Sequence, residues 1–208
     1  LLDFNYFYLF SLLLNPMQIP IVNHPDYVAK INDDNKFPIK KFGALAVHLL
    51  KSGIVKNFHI PKECSTKTMQ TSHSLKYIND IRNKTLDVRA QKKIGFPIND
   101  SVIRRSFVAT GGTVLASKLA LDSKLACNTA GGSHHATFDY GAGYCVFNDV
   151  AVAANYLKDK GYAKKILILD LDVHQGNGNS EIFQNDKDVL TFSMHCASNY
   201  PAKKSKSD

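Results

Sequence analysis

Lys165-Ile166-Leu167-Ile168-Leu169-Asp170-Leu171-Asp172-Val173-His174 is an apolar run that ends in two carboxylates and an imidazole. The unbroken aliphatic stretch 166–169 predicts a strand covered on both faces, because a half-exposed strand would alternate apolar and polar residues. Downstream, Val189-Leu190-Thr191-Phe192-Ser193 predicts a second strand, with a short helix over about 178–184 between the two. Strand, helix, strand at this spacing is a βαβ unit, so the sheet is parallel and the class α/β.

Outward from that unit, Asn148 or Asp149 can cap a helix over Val150–Lys160, with Gly161 just past its end. Asn99-Asp100-Ser101 can cap a long helix reaching Leu121, and its Gly111-Gly112 pair predicts close packing against a sheet. A helix is expected after Pro38 within residues 36–51, closed by Ser52-Gly53. Leu125-Ala126-Cys127 reads as a short buried strand and residues 129–145 as a glycine-rich loop. His24-Pro25-Asp26-Tyr27 reads as a turn after a first strand that runs from Met17 to Val22.

Composition bounds the function. The chain has 208 residues, 44% hydrophobic and 21% charged, which suits a globular domain with its own core. Four cysteines lie far apart with no CxxC pair, which reads as reduced thiols in a cytoplasmic protein rather than a disulfide framework. The net charge of +8 is scattered, without the aromatic-studded basic stripe of a nucleic-acid binder, so direct nucleic-acid binding is not expected. Leu1–Leu14 is apolar but too short to span a bilayer and lacks a basic start, so no membrane role is read from it. Because Met17 opens the first recognisable strand, residues 1–16 are expected to be a non-native upstream extension and 17–208 the N-terminal part of one domain.

Ligands of an open parallel sheet bind beyond the carboxyl ends of its strands, which is where the polar residues gather here. With the period-2 geometry of a strand, Asp170, Asp172 and His174 fall on one side. Such a group is costly unless paired, and a divalent metal relieves the repulsion. One oxygen and one nitrogen ligand suit catalytic zinc. Gly131-Gly132-Ser133-His134-His135 supplies a loop whose adjacent imidazoles can both point into one pocket. A single histidine is more often a packed residue; a pair beside an Asp-x-Asp-x-His strand end points to chemistry.

Three motifs in order complete a resemblance: Gly131-Gly132-Ser133-His134-His135-Ala136, Gly143-Tyr144-Cys145-Val146-Phe147-Asn148-Asp149, and Asp170 to Gly178. Together they resemble the histone deacetylase family of the arginase/deacetylase superfamily. The Gln175-Gly176-Asn177-Gly178 variant, Lys93-Ile94-Gly95-Phe96-Pro97 and Gly111-Gly112-Thr113 are most similar to class IV and its bacterial relatives. The similarity runs from about Met17 to the end. It implies a three-layer α/β/α fold with a mainly parallel sheet, incomplete at the C-terminus. It also implies a zinc-dependent hydrolase of acetyl-lysine or related acylated amines, working through a metal-activated water and a His-His pair.

By the same resemblance Asp172 and His174 would ligate zinc, and His134 and His135 would flank the water. Asp170 would lie behind His134, and Asn177 behind His135. Since Asn177 carries no charge, His135 is read as the neutral base and His134 as the better-charged partner. Gly143 and Tyr144 would line the tunnel for the acyl-lysine stem, the alternative for Tyr144 being ordinary core. Asp170, Asp172, His174, Ser193 and Met194 would also hold a structural potassium ion, with Phe183 and Val189 near a second. The pattern further requires an Asp ligand and a tyrosine from later loops; neither Asp208 nor Tyr200 is read as filling those roles. The chain is therefore expected to be truncated, inactive as it stands and marginally folded.

Three other functions compete. A magnesium-dependent aspartate phosphotransferase also places Asp-x-Asp after a strand, but leaves the histidine pair without a task. Arginase-like hydrolases need two manganese ions and further carboxylates. A metal-stabilised module could bind acyl-lysine without turnover.

Overall fold

The computed structural model describes residues 19–206. The expectations for residues 1–16, for Met17 and for Asp208 lie outside these residues. The first strand, β1, is Ile21–Val22, followed by a 3-10 turn at Pro25–Tyr27. Then come α1 (Lys41–Lys51), α2 (Thr66–Met69), α3 (Leu75–Arg82), α4 (Val88–Ile94) and α5 (Asp100–Ser123). β2 (Cys127–Asn128), α6 (Asp149–Asp159), β3 (Ile166–Asp170), α7 (Asn177–Phe183) and β4 (Val189–Ser193) complete the order.

Local chemistry sets most boundaries. Asn99 Oδ1 accepts the Val102 amide at 2.9 Å to start α5, and Asn148 Oδ1 accepts that of Ala151 at 2.9 Å to start α6. Ser65, Ser74 and Asp87 cap α2, α3 and α4 in the same way. Gly95, at φ 84°, closes α4 in the left-handed conformation that glycine adopts without a steric penalty. α1 begins at Lys41, two residues later than the position after Pro38, because Ile39 and Lys40 form a turn.

β3 and β4 pair in parallel, Ile166 opposite Val189 through Asp170 opposite Ser193, with α7 as their crossover. β1 and β2 form a second parallel pair, so the described strands make two two-stranded sheets rather than one. Two expectations for strands need correction. The second strand is Cys127–Asn128, and Leu125 and Cys127 are exposed, because the chain there runs along β1 at the surface. β3 is covered on one face only. Ile168 packs with Phe183, Val189, Ala151 and Ala154, whereas Leu167 and Leu169 are each 57% exposed. Among the described residues nothing covers that second face.

The larger core gathers Tyr27, Met69, Ile78, Ile81, Val102, Phe107, Phe147 and Val152 where α3, α5 and α6 meet. Gly111 and Gly112 are needed there: Gly112 lies against Asn128 of β2, in line with the expected packing on a sheet, while Gly111 meets the 62–64 segment. A Cβ on Gly111 would strike the Lys62 carbonyl, and one on Gly112 the Tyr27 hydroxyl and the Asn128 amide. α5 is thereby seated against the 62–64 segment and the Pro25–Tyr27 turn, which fixes the base of the loops that follow β2. No helix among the described residues is long and apolar enough to cross a membrane. The four cysteines are free.

Candidate active site

The loop that carries the two histidines is held from beneath. The buried Asp149 carboxylate, in the first turn of α6, accepts the Gly132 amide at 3.1 Å, the Ser133 amide at 2.7 Å and the Thr113 hydroxyl. Gly132 sits at φ 90°, a conformation that a side chain would strain. Asn148, fully buried, donates to the Ala136 carbonyl at 3.1 Å and to Asn179 at 2.9 Å, tying the loop to α7. The Gly178 amide closes the same junction on the His134 carbonyl at 2.9 Å, and a Cβ on Gly178 would strike that loop.

This support turns both imidazoles inward. Their ring centroids are 4.1 Å apart and both residues are buried. His134 Nδ1 lies 2.6 Å from Asp170 Oδ2, and His135 Nδ1 lies 2.8 Å from Asn177 Oδ1. Burial pushes the His135 imidazole down to about 4, and the neighbouring His134 pushes the same way. Burial raises the Asp170 carboxyl, but the hydrogen bond and charge of His134 outweigh it, so the group stays below the ordinary carboxylate value.

Asp172 and His174 reach the site by a route other than the strand pleat. β3 ends at Asp170, and the chain beyond it bends. The Asp172 amide bonds to Asp170 Oδ1 at 3.0 Å, and the His174 amide to Asp172 Oδ1 at 2.7 Å. These two successive side-chain turns send the polar residues to one side and leave Leu171 and Val173 exposed. His174 Nδ1 then faces Asp172 Oδ1 at 2.9 Å. Adjacent corners of a tetrahedron with zinc-bond arms of about 2.1 Å lie about 3.4 Å apart, so this donor pair fits two corners of a zinc shell. His134 Nε2 is 3.9 Å from Asp172 Oδ1, and the His135 and His174 rings are 5.9 Å apart. The four side chains therefore share one small volume. Among the described residues no group of three or more His, Cys, Asp or Glu is arranged to hold a metal.

Gly143 and Tyr144 both have left-handed backbones, at φ 54° and 64°. For Tyr144 this conformation costs about 1–2 kcal/mol and persists because its surroundings demand it. The Gly143 amide bonds to the Lys93 carbonyl at 3.1 Å and the Tyr144 amide to the Ile94 carbonyl at 2.7 Å, so the end of α4 fixes the turn. The Tyr144 ring packs 5.1 Å from Phe37 and 5.2 Å from Phe96, yet it also lines the cavity with His135 and His174. It is both core and wall.

Sequence reasoning missed Tyr200. Its ring meets His135 edge-on at 4.8 Å and stands 6.2 Å from His174, and with Tyr144 it lines one opening. Its position just past the end of β4, where chemistry collects in a parallel sheet, was the available signal. Ser193 and Met194 lie at the same strand end: the Met194 amide bonds to the Asp170 carbonyl at 2.9 Å, and Ser193 Oγ lies 2.9 Å from His195 Nδ1. Phe183 and Val189 are buried in the smaller apolar cluster.

The histone deacetylase domain family matches residues 36–208. An uncharacterized protein of Picosynechococcus is 44% identical over 194 residues, covering 92% of this chain and 65% of the relative. Histone deacetylase 2 of Arabidopsis thaliana is 29% identical over 181 residues, 79% of this chain and 45% of that protein. The crystal structure of a histone deacetylase homolog complexed with SAHA superposes with a TM-score of 0.76 at 25% identity, covering 89% of this chain and 54% of that one. The chain thus spans between about half and two thirds of the length of these relatives. The superposition assigns the arginase/deacetylase α/β fold. With a family match that takes in the adjacent-histidine motif and the Asp-x-Asp-x-His segment, the chain belongs to the histone deacetylase domain family.

Proposed function

We propose that this chain carries catalytic groups of a zinc-dependent deacylase acting on acetyl-lysine or a related acylated amine. The observation that carries the reading is the paired support of two adjacent imidazoles, Asp170 behind one and Asn177 behind the other, facing Asp172 and His174. Asp172 and His174 would hold the metal. Bound zinc polarises an acyl carbonyl and lowers the pKa of a bound water to about 7.

The protein's own groups divide the proton work. Asn177 Oδ1 accepts a hydrogen bond, so the proton of neutral His135 sits on Nδ1 and leaves the Nε2 lone pair free to accept another. Burial keeps that imidazole neutral near pH 7, which is the state a base needs. His134 differs: its Nδ1 lies 2.6 Å from Oδ2 of Asp170, a carboxylate that stays ionised, rather than from a neutral amide. His134 is then the group placed to hand a proton to the departing amine. Tyr144 and Tyr200 both line the opening and would offer aromatic surface to the methylenes of a lysine stem. A structural potassium ion at the ends of β3 and β4 is proposed on the family resemblance.

An aspartate phosphotransferase would need Asp170 as a free nucleophile. Here Oδ2 is taken by His134 and Oδ1 by the Asp172 amide, which disfavours that reading. Turnover of acetyl-lysine that requires zinc and is blocked by a hydroxamate supports the proposal, and magnesium-dependent phosphatase activity overturns it. His134→Ala should abolish turnover while keeping ligand affinity. A protein that binds acyl-lysine equally well with or without His134, and turns over neither way, is a binding module.

A further inference from the structure

Arg105 is a cation in a place that does not account for it. It projects from α5 and is only 6% exposed, and among the described residues it has no ion pair. Nε donates to the Tyr27 carbonyl at 3.0 Å, and the guanidinium lies 4.9 Å from the Phe42 ring and 5.8 Å from Phe96. Its terminal nitrogens make no hydrogen bond to the described residues, and the residue lines the space beside it. The nearest acid, Asp149, is already engaged by the loop amides and Thr113. A buried cation left with a single carbonyl and aromatic faces is costly unless a ligand completes it.

The space beside it is the cavity of the histidine pair. About 420 Å³ in volume, it is lined by His134, His135 and His174 and also by Arg105. Lys36 and Lys41 add two more cations to its lining, against one carboxylate, Asp172, at the metal-ligand end. An acetyl group needs little of this volume, and carries a charge only once it is released as acetate.

We infer that the cavity is an acyl-end subsite for chains that terminate in a carboxylate, with Arg105 as the group that receives it. The inference rests on the deacylase reading and names its substrate class: lysines or amines acylated by dicarboxylic acids. A guanidinium meets a carboxylate in two parallel hydrogen bonds, which a neutral acyl end cannot return.

The test is calorimetric binding of an Nε-succinyl-lysine peptide against its neutral isostere with a terminal carboxamide. The protein should bind the succinyl ligand about tenfold more tightly, consistent with one charged hydrogen-bonded contact. Arg105→Met should erase the preference. Because that change empties a packed position, Lys36→Met with Lys41→Met, both exposed, serves as the second variant and should shrink the preference several-fold. Equal binding of the two ligands by the unaltered protein, or a preference that survives both variants, overturns the inference. If free acetate or succinate competes as strongly as the succinyl peptide, the site belongs to a released acid and the acyl assignment falls. A charge preference without any turnover sinks only the hydrolase reading. Acetyl-lysine turnover without the preference sinks only this inference.

Discussion

Acidification should loosen the catalytic loop through His73, a residue outside the site. Its ring is fully buried, packed 5.3 Å from Phe147 and 5.9 Å from Tyr77. Nε2 accepts the Asn148 amide at 2.9 Å, so the single proton of the neutral ring is on Nδ1, which has no hydrogen-bond partner among the described residues. Burial pushes the imidazole down to about 4; the main chain at Thr137 and Phe138 and the Asp139 charge pull the other way and lose. Above about pH 6.5 both the folded and unfolded chains hold this histidine neutral, and the stability is fully present. Between about 6.5 and 4 the unfolded chain takes a proton that the folded chain refuses, so stability falls as pH falls; below about 4 this group adds no further loss. At about 1.4 kcal/mol per pH unit, the total is about 3 kcal/mol.

His73→Gln removes the titration while offering an oxygen to the same amide. Urea unfolding followed by tyrosine fluorescence at pH 7.5, 6, 5 and 4 gives the free energy for each protein. Carboxylates and His135 contribute alike to both, so the difference between the two curves isolates His73. The unaltered protein should lose about 3 kcal/mol more than the variant across the series. Parallel curves would refute the reasoning, since they mean His73 takes up its proton as readily folded as unfolded.

Other perturbations follow from the same geometry. Asn177→Asp sets a carboxylate against His135 Nδ1, now 2.8 Å from the amide oxygen, and so should raise the pKa of that imidazole. In an active enzyme the acidic limb of the pH–rate profile then moves to higher pH; an unmoved limb contradicts His135 as the base. Gly112→Ala drives a methyl into the Tyr27 hydroxyl and should cost about 1–3 kcal/mol, read as a lower urea midpoint at constant slope. Tyr200→Ala removes one aromatic wall beside His135, and KM for an acyl-lysine peptide should rise several-fold with a smaller change in kcat.

The linear order of residues settled the βαβ unit, because an aliphatic run, a short helix and a second β-rich run leave few other arrangements. It also settled the starts of α5 and α6, since Asn99 and Asn148 act on amides three residues ahead and need nothing distant. The caps Ser65, Ser74 and Asp87 were equally local, yet no long apolar period follows them, and α2, α3 and α4 went unread. Motif chemistry brought His134, His135, Asp170, Asp172, His174 and Asn177 into one candidate set.

Tertiary structure decided what distance in the chain conceals. Nothing near Asp149 announces that its carboxylate props up Gly132 and Ser133, sixteen or so residues earlier. Nor does the sequence around Arg105 show that it lines the histidine cavity, or that Tyr200 comes to line one opening with Tyr144. The coverage of β3 was misread for the same reason: an aliphatic strand reports its own preference for burial, while burial itself depends on which elements lie against each face. Local hydrogen bonds reach three or four residues and can be read in order; packing joins residues dozens apart, and only the folded chain shows which ones meet.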